Sequence, residues 1–263
     1  MLKSVFHKAG GFFLIFFLAL TIVNASPIKA GGNYSTEEGK KHELSLALGY
    51  VSFSGNAQSE TGSLKVRYAF VFKKLFIETK AYYIFNDITD ISTGETNRTD
   101  EKYSLAVKTN YKMGKKSGVF TNLSWYKNKP AGINQNLSVA GGYSKILVDT
   151  DKKKGKLGIG VEGYKEEKII EDEIKTNSSL AAYFEFGYEL KFNDANKLKF
   201  ENESRMNLSD SEDYRLENNL TYSSAINKKI AIEFNYIHQY KNLPVPGKKK
   251  TDTTTMINVV FRF

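Results

Sequence analysis

The chain has 263 residues, 41% of them hydrophobic and 25% charged, with a formal net charge of +9, 18 Phe and 16 Tyr against 4 Pro, and no cysteine. That length fits one all-β domain, and the missing cysteine excludes a disulfide framework, a thiolate metal site and a lipidated cysteine anchor. Positive charge of this size would suit nucleic acid, but the N-terminus directs the chain to a compartment where no nucleic-acid partner is expected.

Lys3 and Lys8 precede an apolar stretch from Phe12 to Val23, and Val23-Asn24-Ala25 follows with residues suited to a signal-peptidase site. Residues 1–25 therefore read as a secretory signal peptide cut after Ala25, too short in its apolar part to span a bilayer as a helix. Removal of 25 from 263 residues leaves 238, and loss of the two lysines takes +9 to +7. No later segment approaches the roughly 18 apolar residues of a spanning helix, so a membrane-embedded mature chain must be a closed β-barrel. Residues 26–42 read as a periplasmic N-terminal segment and 43–263 as the barrel.

From Glu43 onward apolar residues recur at every second position, the period of a strand with one apolar face. The rows begin Leu44, Leu46, Leu48, Tyr50, then Leu64, Val66, Tyr68, Phe70, Phe72, and a turn at Lys73-Lys74. They continue through Leu75 to Tyr83, Tyr103 to Tyr111, Val119 to Trp125, Leu137 to Tyr143, Leu157 to Val161, Leu180 to Leu190, Leu198 to Phe200, Tyr214 to Tyr222 and Ile230 to Tyr236. The last row is Thr255, Ile257, Val259, Phe261, Phe263, so the chain ends in mid-strand on an aromatic. About twelve strands result, an even number that puts both ends of the barrel domain on one side.

Link lengths alternate as an up-and-down antiparallel barrel requires. Short links fall at Lys73, Met113 to Ser117, Asn193 to Asn196 and Asn227 to Lys229; long ones at Asn86 to Asp100, Lys127 to Gln135, Glu166 to Asn177 and Lys241 to Asp252. Val148 to Gly155 is a short-side link of greater length. A soluble barrel with its apolar row inward has the same alternation. The terminal Phe, the strand count and the aromatic ends of the rows (Tyr103 with Tyr111, Tyr214 with Tyr222) favour two membrane interfaces instead.

The pieces LGYVSFSGN (Leu48 to Asn56) with the strand after it, GGYSKILVDTDKKKGKLGIGVEGYKEEK (Gly141 to Lys168) and PGKKKTDTTTMINVVFRF (from Pro246) resemble the YdiY-like, salt-induced outer membrane protein family, whose domain is of unknown function. The resemblance implies an outer-membrane barrel of a Gram-negative-type bacterium and brings no catalytic residues.

The row facing the lumen carries the candidate site. Early strands supply Lys65, Arg67, Lys80 and Lys108 with Glu78; later ones supply Glu162, Glu185, Glu201, Glu203, Glu217 and Glu233 with Lys199, Arg205 and Arg215. A basic wall facing an acidic one would make the transverse field of a narrow channel for small solutes. The same charges paired across the lumen would seal it and leave a structural, envelope-stress barrel. Both readings stay open, with an outer-membrane lipid hydrolase as a remote third. His238 lies on the outward row near an outer strand end, but its expected neighbours include no serine nucleophile. With only His42 and His238 beyond the signal peptide, no multi-histidine metal site is expected, nor a cofactor or enzymatic activity.

Expected partners are outer-membrane lipids, periplasmic chaperones and the barrel assembly machinery, which would read Phe261 and Phe263. One flaw breaks the apolar pattern. A hairpin through Asn207 to Asp213 sets Asn202 opposite Asn218 on the outward rows, where two amides would face lipid, so this pair is a candidate self-association seam.

Overall fold

Strand alternation and short turns build a single closed sheet. The computed structural model describes residues 41–53, 58–90 and 93–263, so the expected signal peptide (1–25) and nearly all of the expected periplasmic segment (26–42) lie outside the described residues. The strands are β1 (His42–Phe53), β2 (Gln58–Phe72), β3 (Leu75–Thr89), β4 (Thr96–Lys112), β5 (Ser117–Asn128), β6 (Ile133–Asp149), β7 (Lys153–Ile170), β8 (Glu173–Lys191), β9 (Asn196–Asn207), β10 (Tyr214–Ala225), β11 (Ile230–Lys241) and β12 (Thr251–Arg262). Each pairs antiparallel with its neighbours in sequence, and β12 closes on β1, giving a twelve-stranded barrel. No described helix is long and apolar enough to cross a membrane, which leaves open crossing by strands.

The apolar rows face out. Val139 is 56% exposed and Leu180 61%, whereas Glu162, Glu166 and Glu185 are buried within the barrel. This arrangement inverts a soluble barrel, which would hide the leucines and wet the carboxylates.

At the lower end, which holds Phe263, three turns repeat one device. In two of them an asparagine folds its side chain back on the turn: Asn193 Oδ1 accepts from the Asn196 N–H at 2.8 Å, and Asn227 Oδ1 accepts from the Ile230 N–H at 2.9 Å. The backbone bonds Met113 N–H to Ser117 O, Phe192 N–H to Asn196 O and Ile226 N–H to Ile230 O, 2.9–3.0 Å long, frame all three. An asparagine amide that mimics a backbone partner makes such turns cheap to form. The link expected to run from Val148 to Gly155 is as tight as the rest, because a bulge between Ile146 and Val148 absorbs the extra residue and pairing resumes at Val148↔Gly155 and runs on to Asp149↔Lys154.

At the upper end the links expected to be long are mostly strand. Pairing continues to Thr89↔Thr96 and to Ile170↔Glu173, so β7 and β8 reach 18 and 19 residues and close through Glu171 and Asp172, both at positive φ. Two positive-φ residues in a two-residue loop match the twist of the flanking strands. Beyond the apolar belt both faces of a hairpin are polar. The sequence alternation that marks a strand therefore vanishes although the hydrogen bonding goes on.

One glycine pair is required by close approach. Gly142 of β6 and Gly160 of β7 are register partners, and a Cβ on Gly142 would lie 2.1 Å from the Ile159 carbonyl oxygen, one on Gly160 2.2 Å from that of Gly141. Gly142→Ala is expected to push the two strands apart and cost about 2 kcal/mol or more, read as a lower urea midpoint of the refolded protein. Gly141→Ala, whose Cβ would meet nothing nearer than 3.7 Å, is the matched control and should be near neutral.

Candidate functional site

The inward rows converge on two tiers of ion pairs. In the lower tier Arg67 of β2 bridges its neighbours, with Nη1 2.8 Å from Glu43 Oε1 and Nε 2.6 Å from Glu78 Oε1. Lys80 Nζ lies 3.3 Å from Glu78 Oε2 and 3.4 Å from Glu201 Oε1, which also takes Lys199 Nζ at 2.8 Å. Lys80 is on β3 and Glu201 on β9, six strands apart in a ring of twelve, so this contact spans the full diameter. Lys108 of β4 pairs with Glu185 of β8 across a shorter chord, and Lys156 Nζ approaches the same carboxylate at 3.8 Å. Lys65 Nζ donates to Asn235 Oδ1 at 2.9 Å. Two inward aromatics, Phe120 and Tyr183, meet at 5.7 Å between centroids beneath the upper tier.

The upper tier centres on Glu166, which is fully buried. Arg215 grips it with both guanidinium ends, Lys241 Nζ lies at 2.9 Å, Lys168 Nζ at 3.6 Å, and the Asn136 amide donates at 3.2 Å. Arg215 also donates to Tyr126 Oη at 3.2 Å, five strands away around the ring. Arg205 Nη1 pairs with Glu162 Oε1 at 3.3 Å, and Tyr164 Oη donates to Asp213 Oδ2 at 3.2 Å. A buried carboxylate keeps its charge only when opposite charges and donors surround it, as they do here.

Above this tier the β11–β12 link, residues 242–250, reaches across the mouth. Val245 is buried against Gly132 in the β5–β6 link, where a Cβ would sit 3.1 Å from the valine, and the Gly132 carbonyl accepts from the Ile169 N–H at 2.8 Å. The two links stand on opposite sides of the ring. Gly132 has φ +73°, so it supplies both the backbone twist and the space.

Of the remaining lumen residues named from sequence, Glu203 shares one register row with Glu185 and Glu217, Glu217 accepts from the Gln239 amide at 2.7 Å, and Glu233 faces Asn258 in register. Lys65, Arg67, Lys80 and Lys108 stand on β2–β4 and the later acids on β7–β11, among Lys199, Arg205 and Arg215, and the Lys80–Glu201 and Lys108–Glu185 pairs join the two arcs across the lumen. Glu166 was expected in an outer link and Asp213 in the hairpin turn from Asn207; both are buried inside. The run E-E-K-I-I-E-D-E reads as a loop by composition. Only the phase of Glu162, Tyr164 and Glu166 marks the inward row. Lys241 hides at a strand end in the same way.

On the outside, Asn202 and Asn218 are register partners joined by an amide hydrogen bond of 2.9 Å. Phe263 is 67% exposed on the outer surface, and its N–H donates to the Leu44 carbonyl at 2.9 Å across the closing seam.

An apolar exterior with exposed aromatics near both ends of the rows, around an ion-paired interior, is the build of an outer-membrane β-barrel. The chain belongs to the family described as "Protein of unknown function, DUF481", whose model matches residues 46–263. Among solved structures its fold is similar to that of the NanC porin (TM-score 0.51, 12% identity, covering 83% of this chain and 98% of that one). It is also similar to an outer membrane channel from Pseudomonas putida F1 (TM-score 0.50, 10% identity, covering 90% of this chain and all of that one). At such identities the likeness is one of fold. No curated protein matches the chain in sequence.

Proposed function

We propose that the protein is a narrow outer-membrane channel for small charged solutes, with a resting state closed towards the outside. The carrying observation is the Lys80–Glu201 contact: it narrows the lumen to one ion pair, yet Lys80 remains 42% exposed and Glu201 27%, so water reaches the constriction. A constriction lined by hydrated opposite charges admits small ions and excludes bulk. Export through the signal peptide and residence in the outer membrane belong to this reading, supported by the N-terminal sequence and the barrel's apolar belt. No catalytic step is part of it.

A sealed structural barrel is the second reading, favoured by the buried Glu166 hub and by the link that covers the mouth. Planar-bilayer recording separates the two. The wild-type protein is expected to give small stepwise currents, and removal of residues 244–249 to raise open probability several-fold. Neutralising the two half-exposed lysines, Lys80→Gln with Lys199→Gln, is expected to shift the reversal potential towards cation preference. Silence from both the wild type and the shortened-link variant, each shown to be folded, overturns the channel in favour of the sealed barrel.

A further inference from the structure

The lipid-facing surface of β9 to β11 carries a row of polar groups at mid-depth. Ser204 Oγ donates to Asn202 Oδ1 at 2.9 Å, the Asn202 amide donates to Asn218 Oδ1 at 2.9 Å, and the Asn218 amide reaches His238 Nδ1 at 3.4 Å, in the tautomer that leaves the proton on Nε2. Asn218 stands midway between Tyr214 and Tyr222, the aromatic ends of its row, and therefore in the hydrocarbon layer. The row consumes only part of its own hydrogen-bonding capacity. One N–H of Asn202, one of Asn218 and the Nε2–H of His238 have no acceptor among the described residues, and acyl chains offer none.

Beside the row, and sharing Ser204 with it, lies a shallow, open depression in the outer surface. It exists because Ala182 and Ser204 are small where their neighbours Ile159, Val161 and Phe184 are large. On the other side of the row, at the same depth, Phe234 and Tyr236 stand out as a ridge, 42% and 39% exposed. Phe184 lies seven residues above the lower end of its strand and Tyr236 six above the lower end of its own. Hollow, amide row and ridge thus follow one another across β8, β9–β10 and β11.

From this order we propose that the β8–β11 face is a homodimer interface, with a two-fold axis along the membrane normal passing beside Asn202 and Asn218. Rotation about that axis carries the ridge of one protomer onto the hollow of the other, the self-complementarity an isologous contact demands. It also brings amide to amide at the centre, and an asparagine side chain both donates and accepts, so the leftover N–H groups of each copy find carbonyl oxygens on the other. A lipid would fill the hollow but leave the amides unanswered. A second copy answers both.

The chain has no cysteine, so a single introduced thiol reports the contact directly. Leu220→Cys, next to Asn218 on the outward row, is expected to give a disulfide-linked dimer in intact outer membranes on mild oxidation. Leu123→Cys, on β5 at the opposite face and 48% exposed, should not. Adding Asn202→Leu and Asn218→Leu is expected to cut the Leu220→Cys adduct at least tenfold while the protein stays heat-modifiable. Ala182→Trp, which fills the hollow without touching the amides, should do the same should the double leucine variant assemble poorly. Equal adducts from both cysteine positions, an adduct untouched by either set of changes, or an adduct of unequal mass from a different protein on this face would each overturn the proposal.

Discussion

Deleting Phe263, or replacing it with Asp, is expected to leave export intact and abolish insertion, with the mature protein accumulating in the periplasm. The seam between β1 and β12 is the shortest among the described pairings: its partners run only from Ser45↔Arg262 to Leu48↔Val259. The Phe263 N–H to Leu44 bond extends that seam by one more contact. Its ring is 67% exposed on the outer surface, where the expected assembly machinery could reach it. A carboxylate there would place charge on a surface meant for the lipid interface. The segment expected to direct export, residues 1–25, is at the other end of the sequence, which is why export and assembly should separate. Heat-modifiable protein at wild-type level in membranes of the deletion strain would remove the terminal residue from any part in assembly.

The second large effect is expected inside the barrel. Arg215→Met leaves the buried Glu166 with two lysines, only one of them within direct hydrogen-bonding reach, in place of a two-pronged guanidinium. Removing one partner of a buried pair typically costs about 3–5 kcal/mol, because the remaining charge must be carried without water. Pairing Arg215→Met with Glu166→Leu removes both charges and should recover most of the loss. Lys241→Met alone should cost less, since Arg215 keeps the carboxylate satisfied. Urea-dependent refolding into lipid vesicles, run as a double-mutant cycle, measures these terms. Additive losses under about 1 kcal/mol, the scale of an exposed pair, would mean that the upper tier is solvated and that the hub does not hold the barrel shut.

The geometry also accounts for how the lumen combines closure with charge. Each tier joins strands far apart around the ring, so the ion pairs act as struts across the sheet, whereas neighbouring-strand pairs such as Arg67–Glu78 only decorate the wall. The Lys80–Glu201 strut keeps water beside it, whereas the Lys108–Glu185 pair and the Glu166 hub do not. In the proposed channel, a solute entering from below would meet a hydrated constriction first and a dry lock second.

The amino-acid sequence by itself determined the strands and their number. The period of two and the turn chemistry are local properties, written in neighbouring residues such as Asn193 and Asn227 with the positions they cap. It determined the β9–β10 register as well, because a short hairpin leaves one way to lay Asn202 against Asn218. Whether the apolar row faced outwards was not contained in the alternation, which is the same for a barrel turned inside out; the terminal phenylalanine and the aromatic ends of the rows had to carry that choice. What the tertiary structure alone decided is who meets whom across the lumen. Lys80 and Glu201 are 121 residues apart in sequence, and no pattern in either strand names the other. Closure of the ring sets their separation, and strand stagger sets their height. The same holds for Val245 lying over Gly132 and for Glu166, whose surroundings come from β5, β6, β10 and β11 at once. Local backbone preference specifies a strand; only the closed sheet specifies the diameter across which its side chains must reach.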